Sequence, residues 1–244
     1  MVISSSYKIF PLGDSALTID FGNVIDPTIN ENIIALFHFF KEHPLPCMIE
    51  TVPAYSSLTV YYDFIEARKK TAKHSTTFHH MKQELDEILK KDIIKTETQG
   101  RAVRIPVCYD AEFALDIEKI AIAKNISIDE VVNIHQSESY KVYMLGFLPG
   151  FTYMGKVNDR IAMPRKAVPN KTVRAGSVGI AGTQTGIYPV DSPGGWNIIG
   201  RTPLKIFDAH DEQPCLFAPG DQVKFEPITL DEFLQHESNY HQSG

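Results

Sequence analysis

Residues 176–196 read GSVGIAGTQTGIYPVDSPGGW. Glycine or proline interrupts this stretch every few residues, so no apolar repeat of helical period is completed, and the short runs between the interruptions suit strands joined by tight turns. The same texture extends outward from residue 146 to about 203. A region of this kind closes on itself as a barrel or a sandwich. TPLKIFD (202–208) and QVKFEPI (222–228) read as its last strands, and LDEFLQH, beginning at Leu230, as a terminal helical turn or two. On the other side lie a strand over 139–145, a helix in LDIEKIAIAKN (115–125), and a second helix in IDEVVNIHQ, opened by the capping box Ser127-Ile-Asp-Glu130.

Further upstream the pattern changes. YKIFPL (7–12) and SALTIDF (15–21) flank Gly13-Asp14 and read as a hairpin. Pro27 then opens an amphipathic helix carrying Ile29, Ile33, Ile34, Leu36, Phe37 and Phe40 on one side. Strands follow in PCMIET (46–51) and SLTVYY (57–62), then a helix in HMKQELDEILKK. The β-β-α-β-β-α order suits a small sheet with both helices on one face. The polar segment IKTETQG (94–100) places a boundary near residue 98. The expected architecture is therefore α+β: a small two-layer α/β domain over 1–98 and a β-barrel domain over 99–244.

A chain of 244 residues with 43% apolar content buries a real core, which excludes a disordered or fibrous protein. Its formal charge of -6 argues against a general nucleic-acid binder, which needs a basic surface to displace counterions. Three widely separated cysteines, Cys47, Cys108 and Cys215, show neither knuckle spacing nor an even count, and read as reduced thiols in a cytoplasmic protein. No apolar run reaches the length of a membrane span. The histidines His38, His43, His210, His236 and His241 form no ligand array, so no metal site is expected. His79-His80 and the following helix read as a solvated surface.

The glycine-rich stretch lacks the Gly-Lys-Ser/Thr ending of a phosphate-binding loop, so this chain is not expected to bind ATP by a loop of its own. Nor is Ser177 a nucleophile elbow, because Ala175 stands where glycine is required. The turns serve either barrel closure or a rim facing a ligand or another subunit. Arg165, Arg174 and Arg201 flank the stretch, and an arginine fork can hold a carboxylate or phosphate as readily as a surface salt bridge. Asp191 and Asp208 read as turn or strand-end residues as readily as water-activating groups. His135, at a predicted helix end, is either a packed histidine or a proton-transfer group. The segment GFLPGFTYMG (146–155) either lines an apolar pocket or plugs the barrel end. Trp196 suits a core, an interface or ligand stacking.

Taken together, YKVYMLGFLPGFTYMG (140–155), RAGSVGIAGTQTGIYP (174–189) and SPGGWNIIGRTPLKIFD (192–208) resemble the allophanate hydrolase subunit 1 family. GDSALTIDFG (13–22), ETVPAYSSLTVYYD (50–63) and RIPVCYD (104–110) extend the resemblance over nearly the whole chain. That family includes the B subunit of bacterial 5-oxoprolinase and an inhibitor of a sporulation histidine kinase, and similar domains occur in urea carboxylase. The resemblance implies a cyclophilin-like barrel. It also implies a non-autonomous component that works with partners like the C and A subunits of 5-oxoprolinase to open 5-oxo-L-proline to L-glutamate. It further implies that the complex uses ATP together with Mg2+, and that this chain alone holds no cofactor. The alternatives it carries are histidine kinase inhibition and a urea- or allophanate-processing role.

On this reading His135, Arg165 and Arg201 are the catalytic candidates, the two arginines holding a carboxylate or a phosphorylated intermediate. The backbone from Gly176 to Gly182 would stabilise oxyanion charge. Phe147, Pro149, Phe151, Tyr153, Gly176, Ser177, Gln184, Tyr188, Pro193, Gly194, Gly195 and Trp196 are the substrate or interface candidates. Asn170 and Arg174 depart from the family's usual proline-arginine and valine-proline pairs.

Overall fold

The computed structural model describes residues 6–90 and 100–242. Two compact units emerge, Met1–Gln99 and Gly100–Gly244. In the first, β1 (Lys8–Pro11), β2 (Ala16–Asp20), β3 (Met48–Pro53) and β4 (Ser57–Tyr62) form an antiparallel sheet in the order β1-β2-β4-β3. Helix α1 (Pro27–Glu42) starts where Asp26 accepts the Thr28 and Ile29 amides and Pro27 supplies a preset φ. Leu58, Val60 and Tyr62 alternate inward along β4 and meet Leu36 and Phe40 of α1 and Leu85 of α3 (Thr77–Leu89) in one core.

A short helix, α2 (Phe64–Lys70), corrects the expected element order. Its seven residues are too few to display an apolar period, but Asp63 caps it by accepting the Glu66 amide at 3.0 Å. The predicted boundary near residue 98 falls outside the described residues.

The second unit is a closed seven-stranded barrel. Its strands are β5 (Ala102–Cys108), β6 (Tyr140–Leu145), β7 (Thr152–Gly155), β9 (Ser177–Ala181), β10 (Gln184–Ile187), β12 (Asn197–Arg201) and β13 (Gln222–Ile228), in the cyclic order β10-β7-β6-β13-β5-β12-β9. β8 (Asn170–Val173) and β11 (Ser192–Gly194) form a separate two-stranded ribbon. Helices α4 (Ile117–Lys124) and α5 (Ile128–Ser137) contribute Ile117, Ile120, Val131 and Ile134 to the barrel core beside Val142, Val178, Ile180 and Phe225. As the capping box predicts, Ser127 accepts the Glu130 amide at 3.1 Å.

Two expectations at the C-terminal end are corrected. Residues 202–208 form no strand, only an isolated bridge between Phe207 and Cys215. Pro203 lacks a ladder donor, and the Thr202 amide is already spent on the Gly176 carbonyl at 2.9 Å. The terminal turn is instead a long helix, α6 (Leu230–Gln242). Thr229 and Glu232 start it as a reciprocal pair: Thr229 Oγ1 accepts the Glu232 amide at 3.2 Å, and Glu232 accepts the Thr229 amide at 2.7 Å. Among the described residues no helix is long and apolar enough to cross a membrane.

Candidate functional site

Phe151 is the hub of an aromatic cluster at the barrel rim. Its ring makes edge contacts with Phe147 at 5.7 Å, Tyr153 at 4.9 Å, Tyr188 at 5.1 Å and Trp196 at 5.3 Å. The turn before it closes through the Phe151 amide to the Leu148 carbonyl, at 3.0 Å. Gly150 takes a left-handed φ of 80° there, and a Cβ would sit 2.9 Å from Phe207. Phe147, itself 65% exposed, and Pro149 form the outer edge. Gly194 allows Tyr188 to approach: a Cβ at that position would come within 2.4 Å of the Tyr188 hydroxyl.

Against this cluster lies a cleft of about 370 Å³ bounded by Tyr153, Pro164, Arg165, Gly182, Gln184 and Trp196. Arg165 is exposed, and its loop is fixed on both sides. Asn197 Nδ2 donates to the Pro164 carbonyl at 2.9 Å, and the Lys166 amide donates to the Gly195 carbonyl at 2.8 Å. Lys166 Nζ reaches both oxygens of Asp116, at 2.8 and 2.7 Å, in a nearly buried pair, while Asp116 also accepts the Ile198 amide at 2.9 Å. Burial raises the phenol pKa values of Tyr153 and Tyr188, and the nearby Arg165 charge opposes the rise. The result is a cationic fork carried on a fixed loop beside an aromatic wall, an arrangement that suits a compact ring bearing a carboxylate.

The cleft thus brings together Arg165, Tyr153, Gln184 and Trp196, with Phe147, Phe151, Tyr188 and Gly194 behind or beside them. Gly195 contributes through its carbonyl, and Pro193 lies exposed on the ribbon. Asp116, Lys166 and Asn197 escaped sequence reasoning. Lys166 and Asp116 are 50 residues apart, so no local spacing announces the pair.

Arg201 does not join Arg165. Its Nε donates to the Ala175 carbonyl at 2.9 Å, it pairs with Glu237 at 3.2 Å, and its guanidinium lies over Phe113 and Phe233 at 5.5 and 5.3 Å. The two arginines named as candidates for the carboxylate or a phosphorylated intermediate line separate clefts. Gly176 and Ser177 lie on the Arg201 side.

The oxyanion role expected of residues 176–182 is corrected. The Gly176 amide donates to the Tyr188 carbonyl and the Gly182 amide to the Met163 carbonyl, both at 2.7 Å, while β9 is paired on both edges. These donors hold the barrel together.

His135 lies in the barrel core with no exposed surface. Its Nδ1 is 2.8 Å from the Tyr109 hydroxyl and its Nε2 is 3.1 Å from Thr185 Oγ1, whose own proton goes to the Gly179 carbonyl. That chain makes Nε2 the protonated nitrogen and Nδ1 the acceptor. The ring stacks on Phe225 at 4.5 Å, and burial lowers its pKa to about 3. The structure therefore places His135 away from either cleft, as a neutral link inside the core.

Residues 7–217 match the carboxyltransferase domain, subdomain C and D, family. The chain belongs to this family. One relative, the B subunit of 5-oxoprolinase from Bacillus subtilis (strain 168), is 44% identical over 236 residues, covering 96% of this chain and 98% of its own. A crystal structure of a conserved uncharacterized protein from Pyrococcus horikoshii matches at 42% identity and a TM-score of 0.54, over 93% of this chain and all of that one. A longer solved chain matches at 32% identity and a TM-score of 0.72, covering 87% of this chain but 40% of its own. The carboxyltransferase subdomain C and D match includes the residues from Glu112 to Arg201 that line these two clefts, and ends before α6.

Proposed function

We propose that this chain is a non-autonomous subunit of an ATP-dependent 5-oxoprolinase, in which it recognises 5-oxo-L-proline while the lactam is opened to L-glutamate. The observation that carries this reading is the 44% identity to the B subunit of 5-oxoprolinase across 98% of that relative. The Arg165 cleft supports it in chemical terms. The substrate is a five-membered ring with one carboxylate. Arg165 would hold that carboxylate through two parallel hydrogen bonds, and Tyr153 and Trp196 would flank the ring. Gln184 would offer an amide to the lactam. The resemblance also carries the reading of the barrel as cyclophilin-like, with its closed strands and rim cleft in support.

An unactivated amide is a poor electrophile, and ATP would supply the activation. We assign no part of the nucleotide site to this chain. Its glycine-rich amides are engaged within the barrel, and the described residues contain no group of three or more His, Cys, Asp or Glu placed to hold a metal ion. Partners resembling the A and C subunits of 5-oxoprolinase would supply those groups and complete the site.

The test is ATP-dependent glutamate release from 5-oxo-L-proline, measured with this chain alone, with the two partner proteins alone, and with all three. Activity confined to the full mixture is expected. Equal activity without this chain, or none from a verified three-part complex, overturns the proposal and favours the kinase or urea-processing alternatives.

A further inference from the structure

The second cleft of the barrel unit, about 450 Å³ in volume, is walled by Glu112, Phe113, Leu115, Thr172, Arg174 and Ser177, with Arg201 at its back. Arg201 is occupied by the Ala175 carbonyl, Glu237 and two aromatic rings, so it serves as wall. The remaining polar groups are uncommitted. Glu112 and Arg174 are exposed, and neither side chain has an ion-pair or hydrogen-bond partner among the described residues. They carry opposite charges into one cleft without pairing to each other. Ser177 is 95% buried, being 5% exposed, and its hydroxyl has no hydrogen-bond partner among the described residues, although it lies on the cleft wall. That hydroxyl opens to the cleft and is not sealed in the core, so it is available to a ligand there. Leu115, 62% exposed, and the ring of Phe113 supply an apolar side.

We infer that this cleft is a binding site for a free α-amino acid. A zwitterion satisfies both lone charges at once: its carboxylate meets the Arg174 fork, with the Ser177 and Thr172 hydroxyls as further donors, and its ammonium meets Glu112. Its side chain lies along Leu115 and Phe113. A plain anion would leave Glu112 facing like charge, and a plain amine would leave Arg174 in the same position. The cleft has ample room for a ligand of this size. The inference rests on this geometry and not on the lactam reaction, since the Arg165 cleft is a separate site.

Isothermal titration of the full-length chain tests it, with L-glutamate and L-leucine as probes. At least one is expected to bind with Kd below about 1 mM. For L-leucine the matched controls are 4-methylpentanoate, which lacks the ammonium, and isopentylamine, which lacks the carboxylate. For L-glutamate they are glutarate and 4-aminobutanoate. The controls of the probe that binds are expected to bind at least roughly tenfold more weakly. Glu112→Gln and Arg174→Gln each reproduce that loss, and Ser177→Ala gives a smaller one, while Arg165→Ala leaves binding unchanged. Both charged positions are exposed, so the fold is not in question. No saturable binding of either amino acid up to about 10 mM overturns the inference. So does equal binding of the control lacking the ammonium, which marks a plain anion site, or loss of binding in Arg165→Ala, which places the ligand in the other cleft.

Discussion

The imidazole of His135 is neutral because complete burial penalises its charged form, while Tyr109 donates to one nitrogen and Thr185 accepts from the other. An unfolded chain takes up that proton near pH 6.5, whereas the folded one refuses it until about pH 3. The contribution to stability is therefore complete above about pH 6.5 and is lost as the pH falls toward 3, at up to about 1.4 kcal/mol per pH unit. His135→Gln should destabilise the protein by about 1–3 kcal/mol at pH 7.5. It should also flatten the fall in stability between pH 6.5 and 4 relative to the parent, a difference that urea denaturation across that range measures. A histidine before a strand gave no sign from sequence whether it was packed or reactive. The deciding partners, Tyr109 and Thr185, lie 26 and 50 residues away. The arginines posed the same problem, since both flank the glycine-rich stretch and only the fold separates them. Arg165→Ala should raise KM for 5-oxo-L-proline in the reconstituted complex roughly 10- to 100-fold with an unchanged melting temperature, as loss of a charge-assisted fork predicts. Arg201→Ala should instead lower stability by about 1–3 kcal/mol, because it releases Glu237 and two ring contacts. Comparing steady-state kinetics with melting curves for the two variants separates their roles.

At the scale of elements, the loop from Pro164 to Lys166 matters more than any single strand, because three distant groups hold it. Asp116 is the central one: it pairs with Lys166 and accepts the Ile198 amide of β12. Asp116→Ala strands a nearly buried ammonium and a buried amide together, and should cost about 3–5 kcal/mol. Asp116→Asn keeps an acceptor for Ile198 and should cost less. Replacing both partners by Asp116→Leu with Lys166→Met should recover part of the loss, so urea midpoints for the three variants rank the contributions. Sequence periodicity located most of the helices and strands here, including β4 at its observed limits, Ser57–Tyr62. It failed where an element is short or specified by its caps. The seven residues of α2 are too brief to show a period, and α6 is announced by Thr229 and Glu232 more than by its apolar content. The strand expected over 202–208 failed for the opposite reason: its composition suits a strand, but its amide at Thr202 is drawn to Gly176.

Across the whole molecule, each unit has its own apolar core, one around Leu17, Ile33 and Leu58 and the other around Ile105, Val142 and Ile180. Separate cores of this kind can fold separately. The first residues of the barrel unit decide where a cut is tolerated. Arg101 donates from its amide at 3.1 Å and its Nη2 at 2.6 Å to Asp221, a carboxylate only 2% exposed that also accepts the Ala218 amide at 2.8 Å. This clamp precedes the β5 strand, which then runs parallel to β13 over seven paired residues and so closes the barrel. Gly100 packs so tightly that a Cβ would fall 1.8 Å from the Gly220 carbonyl oxygen, which makes it part of the same closure. A chain beginning at Gly100 should therefore unfold in one cooperative transition on its own. A chain beginning at Val103 keeps most of the barrel strands but leaves Asp221 buried without its cation, and should lose about 3–5 kcal/mol. Urea denaturation of the two shortened chains measures the difference. If the longer one unfolds without cooperativity, the barrel depends on the first unit. If the two are equally stable, Arg101 does not close the barrel, and the parallel pairing alone carries that task.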